Sequence, residues 1–153
     1  MNTLVIDCSI SLSWCLPDEI TEKSISLLKD AMRGKCQLIQ PELWWYEMIN
    51  GLRSAVARKR ITPTGAEKAL HFLGKIPIHT VSTGLLEGNL VLDCVLRHKL
   101  SAYDASYVVL AQSRRAALIT NNNGLLRLAS EFSNIKSLDK FNRGHIENVH
   151  RTD

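Results

Sequence analysis

Short strand-like runs alternate along this chain with longer stretches in which apolar residues recur every three or four positions, and the change of period marks its elements. Residues 3–6 are a β-branched run that stops abruptly at Asp7, and residues 117–120 are another that stops at Asn121, Asn122, Asn123 and Gly124. Both predict buried strands. Residues 37–39 ahead of Pro41, 78–81 behind Pro77 and 135–138 predict three more.

Over residues 43–60, Trp45, Met48, Ile49, Leu52, Ala55 and Val56 form an amphipathic stripe, with Pro41 and Glu42 suited to the first turn. Glu47 points away from that stripe and so reads as part of a solvated face. Further helices are predicted over 20–33, 64–73, 83–99, 103–115 and 123–130, punctuated by Gly34 and Pro63. Strands that alternate with helices form a parallel sheet, and right-handed crossovers cover both of its faces. The expected fold class is therefore α/β, a three-layer α/β/α sandwich around a central parallel sheet of about five strands. Residues 1–141 make one such domain. Residues 142–153 carry Arg143, His145, His150 and Arg151 but few apolar side chains, and read as a polar C-terminal tail.

Composition narrows this picture without redirecting it. A chain of 153 residues that is 45% hydrophobic and 22% charged can bury most of its apolar surface in one core. Nineteen Lys and Arg against 15 Asp and Glu leave a net charge of +4, which favours a polyanionic partner without requiring one. Cys8, Cys15, Cys36 and Cys94 form no C-x-x-C pair and no histidine stands at metal-ligand spacing, so zinc and dithiol motifs are absent. Reduced, mostly buried thiols in a soluble cytoplasmic protein are expected instead. The run from Met1 to Asp7 has no basic start and is too short for a signal peptide or a membrane span.

Ligands of open α/β sheets bind beyond the carboxyl ends of the strands, and Asp7 and Asn122 stand at two such ends. Asp7 also suits the cap of a short helix that begins near Ser9 or Ser11, so its carboxylate can be read as structural or as functional. Ser101 and Asp104 match the S-x-x-[DE] capping box, yet Asp104 shares a helix face with Tyr107, Val108 and Ala111, where a partly buried acid needs a partner. His71, His79, His98, His145 and His150 form no H-x-x-x-H or H-x-x-E-H arrangement, and no serine lies in a G-x-S-x-G elbow. Lys23-Ser24 and Lys136-Ser137 lack the glycines of a phosphate loop. Nucleophilic, zinc-dependent and nucleotide-driven chemistry all lose ground to carboxylate chemistry.

Four segments together resemble the PIN-domain family, and within it the VapC-type toxins of bacterial toxin–antitoxin pairs. The run from Val5 to Glu19 is similar to V-[IV]-D-x-S-[IV]-x-[LV]-x-W-x-[LV]-P-[DE]-E. Pro41, Leu43, Glu47, Asn50 and Leu52 are similar to P-x-L-x-x-x-E-x-x-N-x-L. Leu100, Ser101, Tyr103, Asp104, Ala105 and Tyr107 are similar to L-[ST]-x-Y-D-A-x-Y. Leu118, Ile119, Thr120 and Leu125 fit L-[IV]-T-x-D-x-x-L, with Asn122 where the family has Asp.

The resemblance implies an α/β/α sandwich and endonucleolytic cleavage of RNA at a pocket formed by Asp7, Glu47, Asp104 and Asn122. It implies Mg²⁺ or Mn²⁺ on Asp7 and Asp104, with Glu47 orienting or deprotonating a water, and it implies a small antitoxin and a homodimer as partners. Mg²⁺ is a hard ion that takes one or two carboxylates together with waters and phosphate oxygens, so the ligand set is chemically apt. Asn122 keeps a carbonyl oxygen but removes a negative charge, so metal affinity should fall. A catalytically weakened module that acts by binding antitoxin or RNA is therefore the alternative. A Mg²⁺-dependent phosphotransfer domain is a third reading, but Ser9 stands where its D-x-D pair needs a second acid. Phosphate contacts are sought among Arg53, Arg58, Lys59 and Arg60, then Arg97, Lys99, Arg114 and Arg115. Trp14, Trp44 and Trp45 are assigned to packing.

Overall fold

A computed structural model describes residues 2–141 of the chain. The tail expected over 142–153 lies outside the described residues. Five strands form one sheet: β1 (Asn2–Ile6), β2 (Cys36–Pro41), β3 (Ile78–Val81), β4 (Ala117–Ile119) and β5 (Ile135–Lys136). Their order is β3-β2-β1-β4-β5, and every neighbouring pair is parallel. Val5 stands opposite Ile39 on one side and Leu118 on the other, so β1 is the central strand and its apolar run is buried on both faces.

The helices are α1 (Cys8–Leu12), α2 (Glu22–Met32), α3 (Trp44–Ala57), α4 (Pro63–Leu73), α5 (Leu85–His98), α6 (Ala102–Ser113) and α7 (Asn123–Leu126). Local chemistry starts several of them. Thr21 and Ser24 form a reciprocal capping box on α2, Thr62 caps α4 with Pro63 in its first turn, and Ser101 caps α6. Gly34, at φ +68°, makes the left-handed turn that ends α2. The chain steps outward from β1 through β2 to β3, then crosses back to β4 and β5. Right-handed crossovers therefore put α1 to α4 on one face and α5 to α7 on the other. This is the expected α/β sandwich.

The core is continuous across the sheet. α6 lies across β1, β2 and β4 and is covered by α5, which is why residues 105–111 are buried all around that helix. On the other face Trp44, Met48, Leu52 and Ala55 turn α3 inward. Of the expected stripe, Met48, Leu52 and Ala55 are buried, Trp45 and Val56 are only partly so and Ile49 is exposed, while Trp44, outside that stripe, is fully buried. The apolar residues of α3 spread around most of its circumference, and the true register places Glu47 one turn beyond Trp44, at the edge of the buried face. The last helix is also shorter than predicted, because after Leu126 the backbone continues in three-residue turns through Leu128, Ala129 and Glu131.

No disulfide joins the four cysteines; Cys36 and Cys94 are buried and Cys8 and Cys15 partly so. Burial pushes the Cys15 thiol up to about 11. Trp14 and Trp44 are core residues whose indole N–H groups donate to Ser24 O and Ser11 Oγ, each at 2.9 Å. Among the described residues no helix is long and apolar enough to cross a membrane.

Candidate functional site

Because β1 leads to β2 on one side while β4 arrives on the other, the carboxyl ends of β1 and β4 flank the point where the strand order reverses. In open α/β sheets this reversal is where helix N-termini and loops diverge and a ligand crevice forms. Asp7 follows β1 directly. Asn122 follows β4 and caps α7, Glu47 lies in the first turn of α3, and Asp104 lies in the first turn of α6.

Asp7 is both a cap and a buried acid. Its Oδ1 accepts from Ser9 N at 3.1 Å and from the Ser9 hydroxyl, and its Oδ2 accepts from Thr120 Oγ1 at 2.6 Å. Each hydroxyl in turn accepts from the loop after β4: Ser9 Oγ from Asn121 N and Thr120 Oγ1 from Asn122 N, both at 2.9 Å. The acceptor side of each hydroxyl is thus filled by a backbone N–H, and its proton is directed to Asp7. The net result is a pKa raised by burial, with these hydrogen bonds opposing the rise.

Glu47 is half-buried, and its Oε1 accepts from the Tyr107 hydroxyl at 2.6 Å. Burial pushes its pKa up, the Tyr107 bond pulls it down, and Asp104 and Asp7 push it up again. Asp104 is raised by burial as well, with the Ser101 hydroxyl opposing. Ser101 Oγ also accepts from Asp104 N at 3.0 Å, so the capping reading of this pair holds alongside its place in the site. Tyr107 is buried and its phenol is held far above its ordinary range, so it stays protonated and can donate to Glu47.

The structure therefore brings Asp7, Glu47 and Asp104 into one electrostatic neighbourhood. Among the described residues, none of the three makes an ion pair with Lys, Arg or His. Nor do any three His, Cys, Asp or Glu side chains among the described residues converge closely enough to hold a metal ion between them. An ion that binds through one or two carboxylates and fills its remaining positions with water and phosphate fits such a set, whereas a cage-demanding ion does not. Asn122 adds less than a carboxylate would, because its single oxygen already accepts from Gly124 N at 2.8 Å.

Some sequence candidates fall away. Arg60 is held by Asp18 and Glu19, and Arg97 by Asp93, so neither is a free cation. His98 pairs with Glu131 at 3.3 Å and packs edge-on against Phe132. Arg53, Arg58, Lys59, Lys99, Arg114 and Arg115 are exposed and make no ion pair among the described residues.

Ser9, Thr120 and Tyr107 are the site's polar supports, and the sequence reading assigned none of them a role. Ser9 stands two residues after Asp7, the spacing of an Asx-turn, and was the signal available. Tyr107 stands one helical turn after Asp104 but reads as part of an apolar face.

No family model matches the sequence, and no curated protein matches it. Solved structures do match by shape. A chain of a toxin–antitoxin complex from Klebsiella pneumoniae superposes with TM-score 0.61 at 13% identity, over 88% of this chain and 97% of that one. PAE2754 from Pyrobaculum aerophilum superposes with TM-score 0.63 at 20% identity, over 91% and 92%. At these identities the likeness establishes a shared fold, and it extends over nearly the whole of each partner.

Proposed function

We propose that this chain is a Mg²⁺- or Mn²⁺-dependent endoribonuclease and the toxin of a toxin–antitoxin pair. The observation that carries the reading is a set of three desolvated carboxylates, Asp7, Glu47 and Asp104, that lack a cationic partner among the described residues and lie where the strand order reverses. Mutual repulsion of this kind is unfavourable unless something positive occupies the crevice during function. The PIN-like motifs around the three acids support the choice of RNA hydrolysis. The fold shared with a chain of a toxin–antitoxin complex supports an antitoxin as partner, and the family resemblance adds a homodimer.

In this reading Asp7 and Asp104 would hold the divalent ion, which would supply positive charge to the scissile phosphate. Glu47 acts differently. Its Oε1 is committed to Tyr107, and its Oε2 makes no hydrogen bond among the described residues, so Oε2 is the atom that takes a proton from the attacking water. The water oxygen bonds to phosphorus, the bond to the departing ribose oxygen breaks, and that oxygen is protonated from solvent. Exposed Arg53, Arg58 and Lys59 lie on and just beyond α3, the Glu47 helix, and serve as phosphate contacts.

The test is cleavage of a defined RNA, and of the DNA of the same sequence, with and without Mg²⁺ or Mn²⁺. Loss of at least a hundredfold in Asp7→Ala and Asp104→Ala is expected. RNA cleavage that is unchanged in both variants sinks the proposal. One observation favours a second reading, a weakened nuclease that acts mainly by binding: the only side-chain oxygen of Asn122 is neutral and already accepts a hydrogen bond in capping α7. Robust metal-dependent cleavage by the natural chain removes that alternative.

A further inference from the structure

We propose that Tyr107 is a positioning residue of the site: through its 2.6 Å bond to Oε1, the buried hydroxyl holds the Glu47 carboxylate within reach of Asp7 and Asp104. The inference rests on the reading of Glu47 as the proton acceptor.

The case begins with the geometry of α6. Asp104 and Tyr107 are three residues apart, so they stand on the same side of the helix one turn from each other. One delivers negative charge to the crevice. The other reaches across to α3, where Glu47 lies 60 positions away in the chain. Residues 105–111 of α6 are buried and α5 covers the outer side of the helix, so the backbone that carries both residues is held in place.

Next comes what faces Glu47. Asp7 at the end of β1 and Asp104 on α6 are both negative, and Cys8 on α1 is a neutral thiol held far above its ordinary pKa by burial and by Glu47 itself. Tyr107 is the one donor hydrogen-bonded to Glu47 among the described residues. Burial and like charge both work against a carboxylate in that position, and two escapes are open to it: it can take up a proton, or its flexible chain can swing into solvent. A proton-bearing Glu47 cannot accept one from water, and a displaced Glu47 is out of reach. The Tyr107 hydroxyl opposes both escapes, and because its own ionisation is driven out of range it does so at every working pH.

A merely structural tyrosine would leave different marks from a positioning one. Tyr107→Phe keeps the ring and its packing and removes only the oxygen. The expected result is a fall in kcat of at least tenfold at pH 7 with KM within about twofold, and an acid limb of the pH–rate profile displaced to higher pH. In the metal-free protein, carbon-detected NMR of the Glu47 carboxylate is expected to report a pKa above that of the natural chain. A Glu47 titration and an acid limb that both coincide with those of the natural chain overturn the proposal. The NMR measurement needs no turnover: if the natural chain proves inactive, the nuclease reading fails while the role of Tyr107 is still decided. Glu47→Gln, whose amide oxygen can still accept from Tyr107, serves as the folding control; it should keep the thermal transition and lose the activity.

Discussion

At Asp7, burial and hydrogen bonding act in opposite directions on one carboxylate. Burial favours the neutral acid, while Ser9 and Thr120 each donate to a separate oxygen and favour the anion. Thr120→Val removes one donor and orphans Asn122 N, so it should cost about 1–3 kcal/mol, read as a lowered urea midpoint with unchanged slope. Asn122→Asp should do the reverse for cation binding. One oxygen can keep the α7 cap while the other brings a charge into the crevice, so Mg²⁺ should bind about tenfold more tightly, or about 1.4 kcal/mol. Calorimetric titration that finds equal affinity in the two proteins would rule out a deficit at Asn122. Asp7 and Asp104 were legible in the sequence as acids at element boundaries. Their hydroxyl supports were not, since Thr120 and Ser9 meet only once β1 and β4 lie side by side.

Elements decide how firmly those residues are held. Ser101 satisfies the N–H of Asp104 in the first turn of α6, so Ser101→Ala should lower stability by about 1 kcal/mol. In a chain of this size that is a fall of roughly 2–4 °C in the melting temperature, and cleavage should weaken with it as the turn that carries Asp104 loosens. At the other side of the same corner, Lys99 ends α5 in the left-handed region at φ 54°. Glycine adopts that conformation without steric cost, so Lys99→Gly should raise stability by about 1 kcal/mol, measured by the same melt. The strands could all be located in the sequence, β3 to the residue, although β2 runs three residues longer than expected and β5 two residues shorter. The inward face of α3 could not be read: with Trp44, Trp45, Met48, Ile49 and Leu52 all apolar, hydrophobicity alone does not choose it. The sheet and α1 choose it, and Glu47 moved from a solvated reading to a half-buried one as a result.

For the whole molecule, the three acids make folding and function compete. Asp7, Asp104 and Glu47 all have folded-state pKa values raised above their ordinary 3.8, 3.8 and 4.5. Between the ordinary and the raised values the folded chain binds more protons than the unfolded one. Stability therefore falls as pH rises through that window and levels off above it. Denaturation of the metal-free protein at a series of pH values should show this slope, and Asp104→Asn should flatten it; a slope unaltered by the substitution would count against a desolvated Asp104. A divalent ion should recover stability on the alkaline side, in proportion to its concentration above Kd. The sheet order could not be read from the sequence, because it depends on which edge of β1 each later strand joins. The acids are separated by 40 and then 57 positions, and only that order brings them to one crevice.

The Thr120 hydroxyl has a consequence for observation. It is fully buried, its lone-pair side is filled by Asn122 N, and its single proton points to Asp7 Oδ2. Such a proton should exchange with water slowly enough to give its own downfield NMR resonance, a signal most threonines never show. Any ion that arrives on Asp7 draws electron density from the same carboxylate, so the frequency of that one resonance should move with occupancy. The fold thus carries a built-in optical-free gauge of cation loading, legible before any RNA is added.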